Sequence, residues 1–277
     1  MENSLKTILV LGANGKTGSR VTKKLEALNI AVRKGSRTAE PKFDWEDQSN
    51  WEEVLKGISS VYITFQPDLA VKGADESIDA FVKMAIKAGV QKLVLLSGRG
   101  EPEAQRCEKI VIESGLKWTI VRASWFNQNF SESYLLEPIL AGYVALPVAE
   151  VKEPFVDADD IADVVVASLT DELHNDKVYE VTGPRLMSFK EAINEIAQAT
   201  NRSIEYSDIP LAEYTGQMRA YEVPEEFIDL ISYLFTEVLD GRNESITTGV
   251  EEALGRKPKD FSQFVKETQA ADVWLVE

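Results

Sequence analysis

Thr7-Ile8-Leu9-Val10-Leu11-Gly12-Ala13-Asn14-Gly15-Lys16-Thr17-Gly18 runs five strand-forming residues straight into three glycines spaced three apart. Val21, Leu25 and Leu28 then recur at helical spacing. A G-x-x-G-x-x-G between a strand and a helix needs glycine for steric reasons. The turn is tight, the backbone must come close to a phosphate, and the helix must start near the strand with its free N–H groups facing the ligand. The stretch therefore reads as strand, phosphate-binding turn and helix. A glycine-rich turn without a ligand is the plainer alternative, and the flanks on both sides weigh against it.

Outward from that stretch, short β-branched or apolar runs at residues 31–36, 42–45, 60–65, 92–97 and 118–123 alternate with helical periods. Such alternation predicts βαβ units around a parallel sheet. Ile78, Phe81, Val82, Ala85 and Ile86 mark one helix, with Gly89 as its stop. After about Trp125 the rhythm changes to a polar and aromatic stretch through Phe130, an amphipathic piece around 135–140, and breaks at Gly142 and Pro147. Residues 155–158 read as a strand, 159–169 as a helix, and 178–182 as a strand before Gly183-Pro184. The remainder is mostly helical, including 225–239 with Gly241 as its cap. The expected fold is α/β, a Rossmann-like doubly wound parallel sheet with a smaller, mostly helical C-terminal substrate lobe. The expected domains are a dinucleotide-binding unit over residues 1–182, with 125–150 contributing to the substrate lobe, and that lobe over 183–277.

A site that prefers NAD places Asp or Glu at the end of its second strand, about 20 residues beyond the glycine turn, on the ribose 2′-hydroxyl. Gly35-Ser36-Arg37 stands there instead. A carboxylate would repel a 2′-phosphate, whereas Arg37 can donate a charge-assisted fork to it and Ser36 a hydroxyl hydrogen bond. The expected cofactor is NADP(H), although Arg37 alone also reads as a solvated arginine. Residues 1–38 hold eight basic side chains (Lys6, Lys16, Arg20, Lys23, Lys24, Arg33, Lys34 and Arg37) against Glu2 and Glu26, a net charge of +6 that leaves −22 for the rest. Positive charge is thus concentrated on the unit expected to hold phosphates.

The 277 residues, 44% hydrophobic and 27% charged, suffice for a sizeable core. A net charge of −16 repels a polyphosphate backbone, which argues against nucleic acid as a partner. One cysteine and one histidine are too few for a disulfide framework or a Cys/His zinc cluster. The first residues lack the apolar core and cleavage site of a secretion signal, and no stretch approaches the ~18 uninterrupted apolar residues of a membrane span. A cytoplasmic protein with no membrane partner is expected. Cys107 reads as a buried small side chain and His174 as an exposed residue of the polar loop 171–177. Asp157, Asp159, Asp160 and Asp163 read as the acidic start of a helix, so no metal is expected.

Several stretches together resemble the NmrA-like branch of the atypical short-chain dehydrogenase/reductases. They are 12–18, Gly35-Ser36-Arg37, Phe43-Asp44-Trp45, the strand end at Ser97, 114–122, 125–130 and 154–162. The likeness spans nearly the whole chain. It is similar to that of the azo- and quinone-reductase-like bacterial members and the fungal festuclavine dehydrogenases. The resemblance implies that Asn14, Lys16 and Thr17 line the phosphates around Gly12, Gly15 and Gly18. It also implies that Asp44 and Trp45 lie near the adenine, that Thr64, Phe65 and Gln66 border the cofactor, and that Ser97 lies near the nicotinamide. Phe126 and Asn129 would border the substrate. Trp45 and Phe126 equally read as core aromatics, and Ser97 as a helix cap.

Most short-chain dehydrogenases pair a Tyr with a Lys four residues on, which lowers the phenol pKa for proton exchange with the substrate. The eight tyrosines here are followed at that offset by Gln66, Pro138, Pro147, Gly183, Pro210, Met218, Glu225 and Glu237. Without that pair, the expected activity is NADPH-dependent hydride transfer to a small, flat, hydrophobic electrophile of quinone, azo or imine type. The alternative is a non-enzymatic NADP(H)-binding redox sensor of NmrA type that acts on a protein partner. The substrate, its proton donor, the oligomeric state and the choice between turnover and sensing are not legible in the sequence.

Overall fold

Four of the apolar runs, over 7–11, 58–63, 92–98 and 117–123, are hydrophobic on both faces, a pattern that only a sheet covered by helices on both sides can bury, and two more polar runs flank them at its edges. The computed structural model describes residues 7–148 and 150–276. Glu2 and Lys6 of the basic segment, and the N-terminal residues 1–6 read for a secretion signal, lie outside that range. Ten strands are described: β1 (Thr7–Leu11), β2 (Val32–Gly35), β3 (Ile58–Ile63), β4 (Lys92–Gly98), β5 (Lys117–Ala123), β6 (Tyr143–Leu146), β7 (Lys152–Glu153), β8 (Lys177–Val181), β9 (Met187–Ser188) and β10 (Glu205–Asp208). The helices are α1 (Lys16–Ala27), α2 (Trp51–Leu55), α3 (Ala74–Lys87), α4 (Pro102–Ile112), α5 (Leu136–Ala141), α6 (Ala158–Thr170), α7 (Phe189–Thr200), α8 (Leu211–Ala220), α9 (Glu225–Tyr233), α10 (Gly249–Leu254) and α11 (Phe261–Ala270).

The chain divides into two units. The first comprises the chain up to Ala123 together with Ala158–Val181 and Thr248–Arg256; the second comprises Ser124–Asp157, Thr182–Thr247 and the chain from Lys257 on.

In the first unit the sheet order is β2-β1-β3-β4-β5-β8, and every pair is parallel. Leu9, Leu11, Val61, Ile63, Leu93, Leu95 and Ile120 share one core with α2, α3 and α4. Alternate residues Val10, Tyr62, Val94 and Val121 are also buried, and α6 packs against β3, β4 and β5. Full burial of each such side chain contributes about 1.5–3 kcal/mol. The order reverses between β1 and β3, and in an open parallel sheet ligands bind outside the carboxyl ends of the strands at that point. The loops after Leu11, Gly35, Ile63 and Gly98 all emerge at that edge.

The second unit buries an aromatic core of Phe130, Phe155, Phe189, Phe261, Phe264 and Trp274. It holds the parallel pair β6-β10 and the antiparallel pair β7-β9. The Trp274 indole donates to the Phe130 carbonyl at 2.9 Å and so fixes the end of the chain to this core.

Three expectations need correction. Residues 42–45 form a turn with a single bridge from Asp44 to Asp47, because Phe43 and Trp45 pack into a cluster with Trp51 and Phe81 rather than extending the sheet. Residues 155–157 contribute only the bridge from Val156 to Phe126, the short strand having ended at Glu153, and Ala158 already opens α6. The helix expected over 225–239 is α-helical to Tyr233 and becomes π-helical over Leu234–Val238.

Candidate active site

The glycine turn is shaped by direct steric demands. Gly12 has φ +62°, and a Cβ there would stand 2.2 Å from Thr64 Oγ1, whose hydroxyl donates to the Leu11 carbonyl at 3.1 Å. A Cβ on Gly18 would stand 2.2 Å from the Gly12 carbonyl oxygen, so only glycine lets α1 start against the turn. Gly15 N–H donates to Gly12 O at 2.8 Å and Gly15 caps α1 without a side-chain hydrogen bond. With no acidic residue in its first turn, α1 presents its positive end and the partly buried Lys16 at the edge where the order reverses. These residues fit a dinucleotide pyrophosphate. Thr17 is buried, and its Oγ1 accepts from the Tyr62 phenol at 2.9 Å.

The turn after β2 joins the turn after β1. Asn14 Nδ2 donates to Thr38 Oγ1 at 3.2 Å, and Ser36 Oγ lies 3.3 Å from the same oxygen. Arg37 is exposed and has no ion pair or hydrogen bond among the described residues. Most neighbouring cations are already engaged. Arg33 donates to the Val54 and Lys56 carbonyls at 2.8 and 2.7 Å, Lys34 pairs with Glu26 at 3.1 Å, and Lys24 pairs with Asp163 at 2.7 Å. The basic excess of the first 38 residues is therefore largely spent on structure, leaving Arg37 available at the strand end.

After β3, Phe65 is half-buried against Trp45, with ring centroids 4.8 Å apart, and Gln66 is exposed. The Trp45 indole donates to the Thr64 carbonyl at 3.1 Å. Trp45 is therefore both a packed aromatic and a neighbour of the turn after β3. The Asp44 carboxylate is occupied by the Glu46 N–H at 3.3 Å and Lys42 at 3.3 Å, while its carbonyl accepts from the Trp51 indole at 2.8 Å.

Ser97, near the end of β4, is 4% exposed and donates to Glu108 Oε1 at 2.6 Å. Arg122 on β5 clamps the same carboxylate at 2.9 and 2.5 Å and reaches Glu180 on β8 at 2.7 Å. These hydrogen bonds hold the Arg122 guanidinium well above its ordinary pKa. Sequence reasoning missed this network because its members lie far apart in the chain. It also missed Asp68 and Glu101 in the turns after β3 and β4, whose carboxyl groups interact with each other.

The second unit carries Phe126 and Asn129, both half-buried, joined by the Asn129 N–H to Phe126 carbonyl bond at 3.0 Å. An open cavity of about 460 Å³ in this unit is lined by Pro147, Val148, Phe235, Leu239 and the acidic Glu150 and Glu244, among others; Phe126 and Asn129 are not part of its wall. Phe235 is buried and Tyr214 half-buried in this unit's core, whereas Tyr221 is 83% exposed.

His174, expected to be exposed, is buried. Its Nδ1 lies 2.8 Å from the Tyr179 hydroxyl and its carbonyl accepts from Thr119 at 2.6 Å. Cys107 is buried in α4, where burial pushes its thiol up to about 12. Arg256 meets Asp160 and Asp163 at 2.6 Å, and Lys259 meets Asp157 at 3.6 Å, which accounts for three of the four clustered acids; Asp159 lies 3.6 Å from Arg20.

The sequence pattern of an NAD(P)H-binding family matches residues 12–172, more than half of the chain and including the whole glycine turn. The chain belongs to this NAD(P)H-binding family. It is 28% identical to the Prestalk A differentiation protein A of Dictyostelium discoideum over 95% of this chain and 92% of that protein. It is 27% identical to an NAD(P)H azoreductase of Xenophilus azovorans, over 95% and 98% of the two chains. An NADPH-dependent quinone oxidoreductase of Escherichia coli, solved with NADPH, shares the fold at TM-score 0.79 and 17% identity, over 94% of this chain and 99% of that one. The protein is an NAD(P)H-dependent oxidoreductase with a Rossmann-like fold. Among the described residues no helix is long and apolar enough to cross a membrane.

Proposed function

We propose that the protein is an NADPH-dependent reductase that delivers hydride to a small, flat, hydrophobic electrophile of quinone, azo or imine type. The observation that carries the choice of NADPH is Arg37: an exposed guanidinium with no partner among the described residues, beside the Ser36 hydroxyl, where an NAD site would place a carboxylate. A 2′-phosphate would receive the Arg37 fork and a Ser36 hydrogen bond. Gly12, Gly15 and Gly18 would admit the pyrophosphate, with Asn14, Lys16 and Thr17 around it. Asp44 and Trp45 would flank the adenine, and Thr64, Phe65, Gln66 and Ser97 the rest of the dinucleotide. Phe126 and Asn129 would meet the acceptor.

The acceptor class is supported by the missing Tyr-Lys pair and by the azoreductase relative. An alcohol-forming reduction of an ordinary ketone needs an activated phenol, whereas a quinone, azo bond or iminium is already electrophilic enough to take hydride. The bound cofactor supplies the hydride. The chain holds the dinucleotide, orients the acceptor and excludes water.

The test is a fluorescence titration of the purified protein with NADPH, followed in the same cuvette by quinones, azo dyes and imines. Emission should change on binding and then disappear faster than in a protein-free control. NADPH that binds and is consumed by no acceptor overturns the reductase reading in favour of a redox sensor.

A further inference from the structure

We propose that Asp68 and Glu101 are the proton donor of this reduction: the two carboxyl groups hold one shared proton at the carboxyl edge of the sheet and release it to the acceptor as hydride arrives. The proposal rests on the reductase reading above.

Asp68 lies just beyond β3 and Glu101 just beyond β4, and because these neighbouring strands are parallel both turns emerge at one edge. Glu101 folds back over the end of β4, where its carboxyl atoms lie 2.1–2.4 Å from the position a Cβ on Gly98 would occupy. Glycine at 98 therefore makes the room that the carboxyl fills. Glu101 is 7% exposed, and its carboxyl group interacts with that of Asp68. Two ionised carboxylates side by side repel each other, and a single proton on the pair relieves that repulsion. The Ala70 N–H also donates to Asp68 Oδ1 at 2.8 Å, which favours the charged form of Asp68 and leaves the proton on Glu101.

Among the described residues neither carboxyl has an ion pair; Lys72, exposed on the same turn as Asp68, pairs with neither, and the arginines nearby face other acids. Arg99 faces Glu180 at 3.5 Å, Arg106 faces Asp75 and Glu103 at 3.8 and 3.6 Å, and Arg122 holds Glu108. Burial, then the Asp68 charge, then Glu103 and Glu108 all push Glu101 well above the usual carboxylate range, and burial raises Asp68 as well.

A quinone that accepts hydride becomes a hydroquinone monoanion. The Glu101 O–H bond then breaks, its proton bonds to the anionic oxygen, and its electron pair stays on the carboxylate. Water reprotonates the pair. The reductant is NADPH, so one hydride and one proton account for the two electrons and two hydrogens gained. A triarylmethyl cation is a different acceptor: hydride alone completes its reduction and no proton is consumed.

The test compares full-length wild type with Glu101→Gln, which preserves shape, and Asp68→Asn. Carbon-13 carboxyl NMR of the cofactor-free protein should show one carboxyl titrating far above its ordinary range in wild type, and that titration should vanish in Glu101→Gln. NADPH titration checks that each variant still folds and binds. The ratio of the quinone rate to the triarylmethyl cation rate should fall about 100-fold in Glu101→Gln, in the range of a lost general acid, with a fall in the same direction in Asp68→Asn. Two ordinary carboxyl titrations, or an unmoved ratio in an active protein, overturn the donor role alone. A wild type that oxidises no NADPH with either acceptor, nor with the azo dyes and imines of the panel above, overturns the reductase reading, and the donor role falls with it.

Discussion

The Tyr62 phenol on β3 donates a 2.9 Å hydrogen bond to Thr17 Oγ1 in the first turn of α1, and both groups are buried. The bond ties the switch-point strand to the helix that opens on the glycine turn. Burial holds the phenol well above its ordinary pKa, so the bond persists across the working pH range. Tyr62→Phe should cost about 1 kcal/mol of stability and weaken NADPH binding, measured by denaturation and by fluorescence titration. A variant as stable as wild type would show that this bond contributes nothing net.

Gly18→Ala should be far more damaging than its single methyl suggests. The added Cβ would lie 2.2 Å from a backbone oxygen, which cannot swing aside. A loss of ~3 kcal/mol or more is expected, together with loss of NADPH binding. Gly216→Ala is the control, because Gly216 lies inside α8 with nothing within 4 Å of its Cβ position. It should stabilise the protein by about 0.5–1 kcal/mol.

Arg37→Ala should separate the two nicotinamide cofactors. Loss of a charge-assisted fork corresponds to about 10- to 100-fold in affinity. That loss should fall on NADPH and leave NADH nearly untouched. Equal weakening of both, in parallel titrations, would remove the basis for NADPH preference.

His174 should impose an acid-side stability loss. Burial, as the leading cause, lowers its pKa below the ordinary 6.5, and Lys92 and Lys177 act in the same direction against Asp171. The unfolded chain therefore takes up a proton at a pH where the folded protein does not. The resulting penalty is absent well above pH 6.5, grows as pH falls through about 6.5, and levels off below the folded pKa. In urea denaturation at pH 7 and pH 5, His174→Gln should lose less stability on acidification than wild type. An identical loss in both proteins would show that His174 titrates alike in the two states.

The sheet was legible where local pattern and long-range pairing agree. Thr7–Leu11 and Lys117–Ala123 are apolar runs bounded by polar or glycine residues, and both join the sheet almost where expected. Residues 42–45 misled because Phe43 and Trp45 have the alternation of a strand, while their partners Trp51 and Phe81 come from two different helices. His174 misled because the loop around it is polar, and only Thr119 on β5 and Tyr179 on β8 show that it turns inward. The glycine turn and Arg37 were visible because their chemistry is written in adjacent residues. Glu101 and Asp68 were not, since 32 intervening residues separate two carboxyls that only the parallel pairing of β3 and β4 brings to one edge.

Gly249 lies so close to β8 that a Cβ on it would stand 2.1 Å from the Glu180 carbonyl oxygen, and α10 packs on β8 and α6. The last helix of the nucleotide-binding unit is thus translated after most of the other unit, only α11 and the residues around it following. As the chain emerges from the ribosome, the first 123 residues can collapse early, but the sheet waits for β8 and its outer cover waits for Arg256. A nonsense mutation or proteolytic cut shortly before Thr248 would therefore strip cover from the NAD(P)H-binding half rather than merely trim the C-terminal half. For truncating alleles and for any shortened form of the chain, residues 248–256 count as part of the N-terminal machinery.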